Sequence, residues 1–220
     1  MAIGHCERVW KLTVKPIRVL IADDHPVVRR GIIYLIEAKP ELELAGEAKD
    51  GLEAVEKYGQ TCPDVVLLDL IMPRMDGLQV VKQIKAQHKE AQIVIVTSFG
   101  EDEKLFAAIK AGALGYLHKD VSPDMLVKTV QNVYAGGASL HPTIARKLVR
   151  NLAGRDSGQC QTTEREMDVV RLVARGFLIP DIASQFEASE HDIHLCIRNL
   201  LNRVHQVNGS DTAVSATTPK

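Results

Sequence analysis

Five short runs rich in β-branched residues alternate with stretches of helical spacing, and this alternation limits what the chain can fold into more than any other feature. The runs are Ile17–Asp23, Leu42–Glu47, Asp64–Asp69, Gln92–Ser98 and Gly115–Lys119. The third and fourth contain VVLL and IVIV, the near-continuous apolar stretches of strands covered on both faces. Between the runs lie Val28/Ile32/Leu35/Ile36, Leu52/Val55, Leu78/Val81/Ile84 and Leu105/Ala108/Ile109, each spaced to line one side of a helix, and Leu126/Val130/Val133 follows the last run. The pattern predicts an α/β fold, a doubly wound five-stranded parallel sheet, over residues 16–137.

Beyond Ala135-Gly136-Gly137, which ends a helix, the texture changes. Ile144/Leu148/Leu152 suggests a short helix within a linker over 138–161, whose polar part is Gly154–Gln161. From residue 162 no strand pattern occurs. Thr163 and Glu166 have capping-box spacing ahead of Val169, Val170, Leu172 and Val173, and Gly176 is a stop signal. Pro180 suits the first turn of a helix over Asp181–Phe186. Ser189 and Asp192 open a third helix, expected over Ser189–Val204 with Ile193, Ile197, Leu200, Leu201 and Val204 as its buried stripe. Three short helices with tight turns predict a small all-α helix-turn-helix domain over 162–207. A flexible tail is expected over 208–220 and an extension over 1–15.

Composition excludes several classes. At 220 residues, 45% hydrophobic and 25% charged, the chain has the make-up of a globular protein of one or two domains. No apolar run is long enough for a membrane span and the first residues lack a secretory signal's apolar core, so a cytoplasmic protein without membrane attachment is expected. Cys6, Cys62, Cys160 and Cys196 are scattered with no CxxC pair, which argues against a zinc knuckle or a disulfide framework. The net charge is −1, which lends no support to a polyanion as the partner of the whole molecule.

In open parallel sheets, ligands bind beyond the carboxyl ends of the strands. Asp23 and Asp24 end the first run, Asp69 the third, Thr97 and Ser98 the fourth and Lys119 the fifth, so all these polar groups are expected at one edge. Crowded carboxylates raise one another's pKa unless a cation offsets them, and oxygen ligands with room for water suit Mg²⁺.

The segments IADDHP, LLDLIMPRMDG, VTS and GALGYLHKD, taken together, resemble the receiver domain of two-component response regulators, a flavodoxin-like fold. The resemblance implies that Asp69 accepts a phosphoryl group from a histidine kinase. It implies that Asp24 ligates Mg²⁺ directly, Asp23 through water, and Asp69 and the carbonyl of Ile71 complete the protein ligands. Thr97 would hydrogen-bond the phosphoryl oxygens and Lys119 would pair with them. Tyr116 is either an aromatic switch coupled to Thr97 or a packing residue. Such a protein is a phosphoryl acceptor with slow self-dephosphorylation at most, and not a turnover enzyme. Pro73 is expected to shape the loop after the acceptor, and Gly77 to allow a close turn there.

TEREMDVVRLVARG, DIA and SEHDIHLCIRNLLNRV resemble the LuxR-type helix-turn-helix that follows a receiver in the NarL/FixJ class. The resemblance implies a recognition helix starting at Ser189, with His194, Leu195, Arg198, Asn199 and Arg203 as DNA-contacting positions. His191, His194 and Arg198 share one helical face, which is expected to be exposed. Asp192 and His194 stand where the family places a hydroxyl and a cation. Residues 155–220 hold seven Lys or Arg against nine Asp or Glu, a net charge of −2, unfavourable for phosphate contacts. Two readings follow: a transcription regulator that binds promoter DNA and forms a homodimer when phosphorylated, or a phosphorylation-dependent protein-interaction regulator with a helix-turn-helix that no longer reads DNA. A metal-dependent phosphatase built on the same carboxylates is a third.

Overall fold

The computed structural model describes residues 15–98, 102–120, 122–140, 142–153 and 163–209. Five strands, β1 (Ile17–Ala22), β2 (Leu42–Ala48), β3 (Val65–Leu68), β4 (Ile93–Thr97) and β5 (Gly115–His118), form one parallel sheet in the order β2-β1-β3-β4-β5. The intervening helices are α1 (Pro26–Glu37), α2 (Gly51–Thr61), α3 (Gly77–Gln87), α4 (Asp102–Lys110) and α5 (Pro123–Tyr134). Every residue of β3 and β4 is buried, as their continuous apolar sequences require.

The two faces of the sheet carry separate cores. Val19, Ile21, Leu67, Val94 and Val96 meet Ile32, Ile33, Leu126 and Val130 of α1 and α5. Leu20, Val66, Leu68 and Ile95 point the other way, to Ala54, Val80, Val81, Ile84 and Ile109 of α2, α3 and α4. Strand order reverses between β1 and β3, so the crevice at the carboxyl ends of those two strands is where a ligand is accommodated.

Four helices follow: α6 (Pro142–Ala153), α7 (Glu164–Arg175), α8 (Ile179–Gln185) and α9 (Glu190–Gly209). Helix α6 is a full 12 residues, and it buries Ile144, Ala145 and Leu148. The capping box of Thr163 and Glu166 opens α7, and Gly176 closes it in the left-handed conformation. Ser189 and Asp192 are likewise joined at the start of α9, through Asp192 N–H to Ser189 Oγ (3.1 Å) and Ser189 N–H to Asp192 Oδ2 (3.0 Å). Two boundaries differ from expectation. Helix α8 starts two residues early, with Pro180 in its first turn. Helix α9 runs through Gly209, into the stretch expected as tail, because no glycine or proline interrupts it before that point. The polar linker and most of the two termini, with Cys6 and Cys160, lie outside the described residues. Among the described helices none is long and apolar enough to cross a membrane.

Candidate functional site

Ala22 and Leu68 pair at the ends of β1 and β3, and Asp69 N–H donates to the Ala22 carbonyl at 2.8 Å. The next residue of each strand, Asp23 and Asp69, therefore emerges side by side, both buried. Lys119 follows β5, with its N–H donating to the Thr97 carbonyl at 3.1 Å, and its Nζ reaches Asp23 Oδ2 at 2.8 Å and Asp69 Oδ2 at 2.7 Å. One cation thus bridges two carboxylates from different strands. Thr97, at the end of β4, is buried on the same edge, and Ser98 beside it is exposed.

Burial pushes the Asp69 carboxyl up, and Lys119 only partly counters this, so the net shift is upward. For Lys119 burial acts to lower the pKa, but the two carboxylates outweigh it and hold the ammonium above its usual range. The pocket favours a charged lysine, whose single ammonium does not offset the burial of Asp69.

A ligand atom from each of Asp23, Asp24, His25 and Asp69 lies within 4.8 Å of all the others, making a candidate metal-chelating cluster. Asp23 Oδ2 and Asp24 Oδ1 are buried and accept no hydrogen bond. Lys119 and His25 reach these oxygens as ion-pair contacts, at 2.8 and 2.7 Å, but off the hydrogen-bonding direction. Buried carboxylate oxygens left in this state fit a hard cation that takes oxygen ligands. Ile71 is half-exposed on the loop after Asp69, where its N–H approaches Asp69 Oδ1 at 3.4 Å.

Besides Pro73 and Gly77, which the sequence marked for the loop after the acceptor, three residues that hold this site went unmarked: His25, Arg29 and Arg74. His25 sits against Asp24 and Asp23, with its own N–H donating to Asp23 Oδ1 at 2.8 Å. Its place directly after the two aspartates was the available signal. Arg29, one turn into α1, donates to the Asp23 carbonyl at 2.7 Å and to Glu47 at 3.1 Å, fixing the backbone that carries both aspartates. Arg74, at positive φ in the loop after β3, pairs with buried Asp50, whose carboxyl caps α2 and is held below its usual range despite burial. Met75 N–H donates to the Pro73 carbonyl at 2.7 Å, which tightens the same loop. A Cβ on Gly77 would meet the Asp69 carbonyl oxygen at 2.2 Å, so only glycine lets α3 start this close to the acceptor.

The second set of sequence-marked residues lies elsewhere, and one expectation is overturned. The face of α9 carrying His194 and Arg198 is docked against the loop between α5 and α6 and is not exposed. His194 is buried, with Nδ1 2.7 Å from the Ala138 carbonyl and Nε2 3.0 Å from Asn132 Nδ2. Both contacts are satisfied by a neutral ring bearing its hydrogen on Nδ1, and burial holds the imidazole pKa below its ordinary value. The Ala138 N–H returns a bond to the His194 carbonyl at 3.1 Å. Arg198 donates to the Gly136 carbonyl at 2.8 Å and pairs with exposed Glu90 at 3.4 Å. A Cβ on Gly137 would stand 2.7 Å from the His194 Cβ and 3.0 Å from the Asn132 carbonyl, so this glycine permits the close approach of α9.

Of the remaining α9 positions, His191 and Asn199 are exposed and Leu195 is half-buried. Arg203 pairs with buried Glu166, the capping residue of α7, and so ties the C-terminal helices to one another. Tyr116 is half-buried on β5 and lines a cavity of about 340 Å³ with Leu140, Phe177 and Leu178 from the C-terminal region. The two marked sites are therefore joined through β5 and the α5–α6 loop.

Residues 19–131 match the family model for the response regulator receiver domain. The chain is 34% identical over 203 residues to the uncharacterized transcriptional regulatory protein YhcZ of Bacillus subtilis, covering 90% of this chain and 94% of that protein. It is 31% identical over 204 residues to the nitrate/nitrite response regulator protein NarL of Escherichia coli K12, covering 91% and 94%. Among solved structures, a LuxR-family two-component response regulator from Aurantimonas is similar, with a TM-score of 0.57 at 33% identity over 63% of this chain and 99% of that one. The chain belongs to the response regulators of the NarL/FixJ superfamily, as a phosphoacceptor receiver domain joined to an all-helical C-terminal region.

Proposed function

We propose that Asp69 takes a phosphoryl group from the phosphohistidine of a partner histidine kinase, and that this event decides whether α9 is free to meet promoter DNA. The observation that carries the reading is the half-buried Lys119 ammonium bridging buried Asp23 and Asp69. Mg²⁺ would be held by Asp24 directly, by Asp23 through water, and by Asp69 and the Ile71 carbonyl. When bound it would offset the negative charge of the phosphoryl oxygens.

An Asp69 carboxylate oxygen attacks phosphorus, and the P–N bond to the kinase imidazole breaks as the P–O bond forms, its electron pair leaving with the imidazole. Lys119 then pairs with a phosphoryl oxygen in place of one carboxylate, and the Thr97 hydroxyl donates to another. Movement of Thr97 toward the phosphoryl group draws Tyr116 inward. Tyr116 lines the cavity shared with Phe177 and Leu178, so its movement alters the packing between the receiver, residues 16–137, and the output domain, residues 162–207. The docked arrangement loses support and α9 separates. His194, Leu195, Arg198 and Asn199 then become available to a DNA groove, with Arg203 holding α9 to α7. Phosphorylated chains pair as a homodimer through the face of α4 and β5, in the cytoplasm.

Intact-mass spectrometry after treatment with acetyl phosphate and Mg²⁺ tests the acceptor, and an adduct absent from Asp69 overturns it. Titration of promoter DNA with treated protein and with Asp69→Asn tests the output, which fails if neither form discriminates specific from random sequence. One observation favours a second reading, a protein-interaction output. Asp192, held ionised by its bonds to Ser189, puts an acid at the start of the helix that would enter the groove. DNA binding that is absent in both forms would leave that reading standing.

A further inference from the structure

Helices α6 and α7 turn four arginines to one side. Arg146 and Arg150 on α6 and Arg171 and Arg175 on α7 are all exposed, and with Val149 and Ala174 they line a single open concavity of about 580 Å³. Each pair is spaced i, i+4, which places the two guanidinium stems about 6 Å apart along its helix. Helix α6 contains no acidic residue, and the acids of α7, Glu164, Glu166 and Asp168, fall in its first half, away from Arg175. Among the described residues Arg171 alone of the four pairs with a carboxylate, Asp168 at 2.9 Å, and both members of that pair are about half exposed. Arg146 donates through Nε to the Ala174 carbonyl at 2.7 Å, which fixes α6 against the last turn of α7.

This concentration of positive charge stands out in a chain whose net charge is −1. We propose that the arginine patch of α6 and α7 binds the phosphate backbone of duplex DNA without reading its sequence, including in the docked arrangement that hides His194 and Arg198. The inference rests on the reading above that duplex DNA is the partner. The chemistry of the lining selects this ligand over a nucleotide. Guanidiniums recognise phosphate oxygens strongly, whereas among the described residues no aromatic side chain lines the concavity on which a free base could stack. The patch also lies on a different surface from the docked face of α9. An unphosphorylated chain would therefore be held on DNA by charge alone, and phosphorylation would add sequence reading to a contact already made.

The test uses the full chain and a labelled random-sequence duplex, titrated by fluorescence anisotropy across a salt series. The triple variant Arg150→Gln/Arg171→Gln/Arg175→Gln leaves Arg146 to hold α7. It should bind at least tenfold more weakly at low salt, and its salt slope should be shallower by about 2 to 3, since each neutralised phosphate contributes about 0.9. The corresponding triple lysine variant should retain most of the slope, and thermal melting should show that both variants fold. An unchanged slope in the glutamine variant, or a wild-type chain that ignores the random duplex at low salt, would overturn the proposal. Binding to inorganic polyphosphate without binding to the duplex would overturn it too. Promoter discrimination is a separate readout: its absence in a wild-type chain that binds random duplex through the patch removes the role of α9 and leaves the patch standing.

Discussion

The acidic pocket and the docked face of α9 both gather polar side chains into buried positions, yet they do so by opposite means. In the pocket, strand ends deliver each group. Asp23, Asp69, Thr97 and Lys119 follow three adjacent strands and their neighbour, so the order and register of the sheet alone bring them together. At α9 nothing in the helix itself requires burial of His194 and Arg198. Their burial depends on a loop from a distant part of the chain, where Gly136, Gly137 and Ala138 offer backbone groups and space. The pocket is set by topology and should survive changes at the surface, whereas the docked face is a meeting of two surfaces that one side chain can separate.

The comparison breaks most sharply at Asp69. Asp69→Asn removes the nucleophile, and intact-mass spectrometry should find no phosphoryl adduct under conditions that label the parent chain fully. Loss of the bridging cation comes next. Lys119→Ala leaves two buried carboxylates facing one another and should cost about 3 to 5 kcal/mol in urea denaturation, with part of the loss restored by a divalent cation. The α9 face should respond to something smaller. Gly137→Ala forces a methyl group against His194, and a penalty of about 1 to 3 kcal/mol should fall on docking. Small-angle scattering should then show a larger radius of gyration, while the receiver retains its melting transition.

Acid should loosen α9 in the same direction. His194 is held neutral in the docked arrangement, with its pKa below the ordinary 6.5. The undocked ring takes up a proton first as pH falls, so the docked arrangement is fully favoured above 6.5 and loses ground progressively below it. Burial is the main cause; Glu190 opposes the shift and His191 adds to it, while Asn132 and the Ala138 carbonyl face the ring across the interface. Once exchange is corrected for its intrinsic pH dependence, the protection of α9 amides should fall between pH 7 and pH 5.5 in the parent and change less in His194→Gln. The smallest effect belongs to Glu90→Gln. Glu90 is 92% exposed where it meets Arg198, so its removal should shift docking by no more than about 0.5 kcal/mol, a difference that added salt abolishes.

The same contrast explains what was legible in the sequence. Alternating runs gave away the parallel sheet because strands covered on both faces have to be continuously apolar, and parallel connection then assigns every strand end to one edge. Asp23, Asp24, Asp69, Thr97 and Lys119 could be named on that basis. Arg29 and Arg74 could not, because each meets its partner, the Asp23 carbonyl or Asp50, through a tertiary contact to a loop, which has no periodic signature. Gly136 and Gly137 were readable as a helix stop, yet their second role depends on a helix nearly 60 residues further along the chain. The spacing put His194 and Arg198 on one face of α9, yet that face is docked while His191 is exposed, because spacing carries no information on whether a side chain meets water or another surface.

The account turns on whether a phosphoryl group at Asp69 reaches α9. Hydrogen exchange of the full chain, before and after acetyl phosphate with Mg²⁺ and with the adduct verified by mass, tests this directly. The predicted result is faster exchange across α9 and Gly136–Ala138 in the phosphorylated chain, with no change in Asp69→Asn. Equal protection of α9 in the phosphorylated and unphosphorylated chains would contradict it.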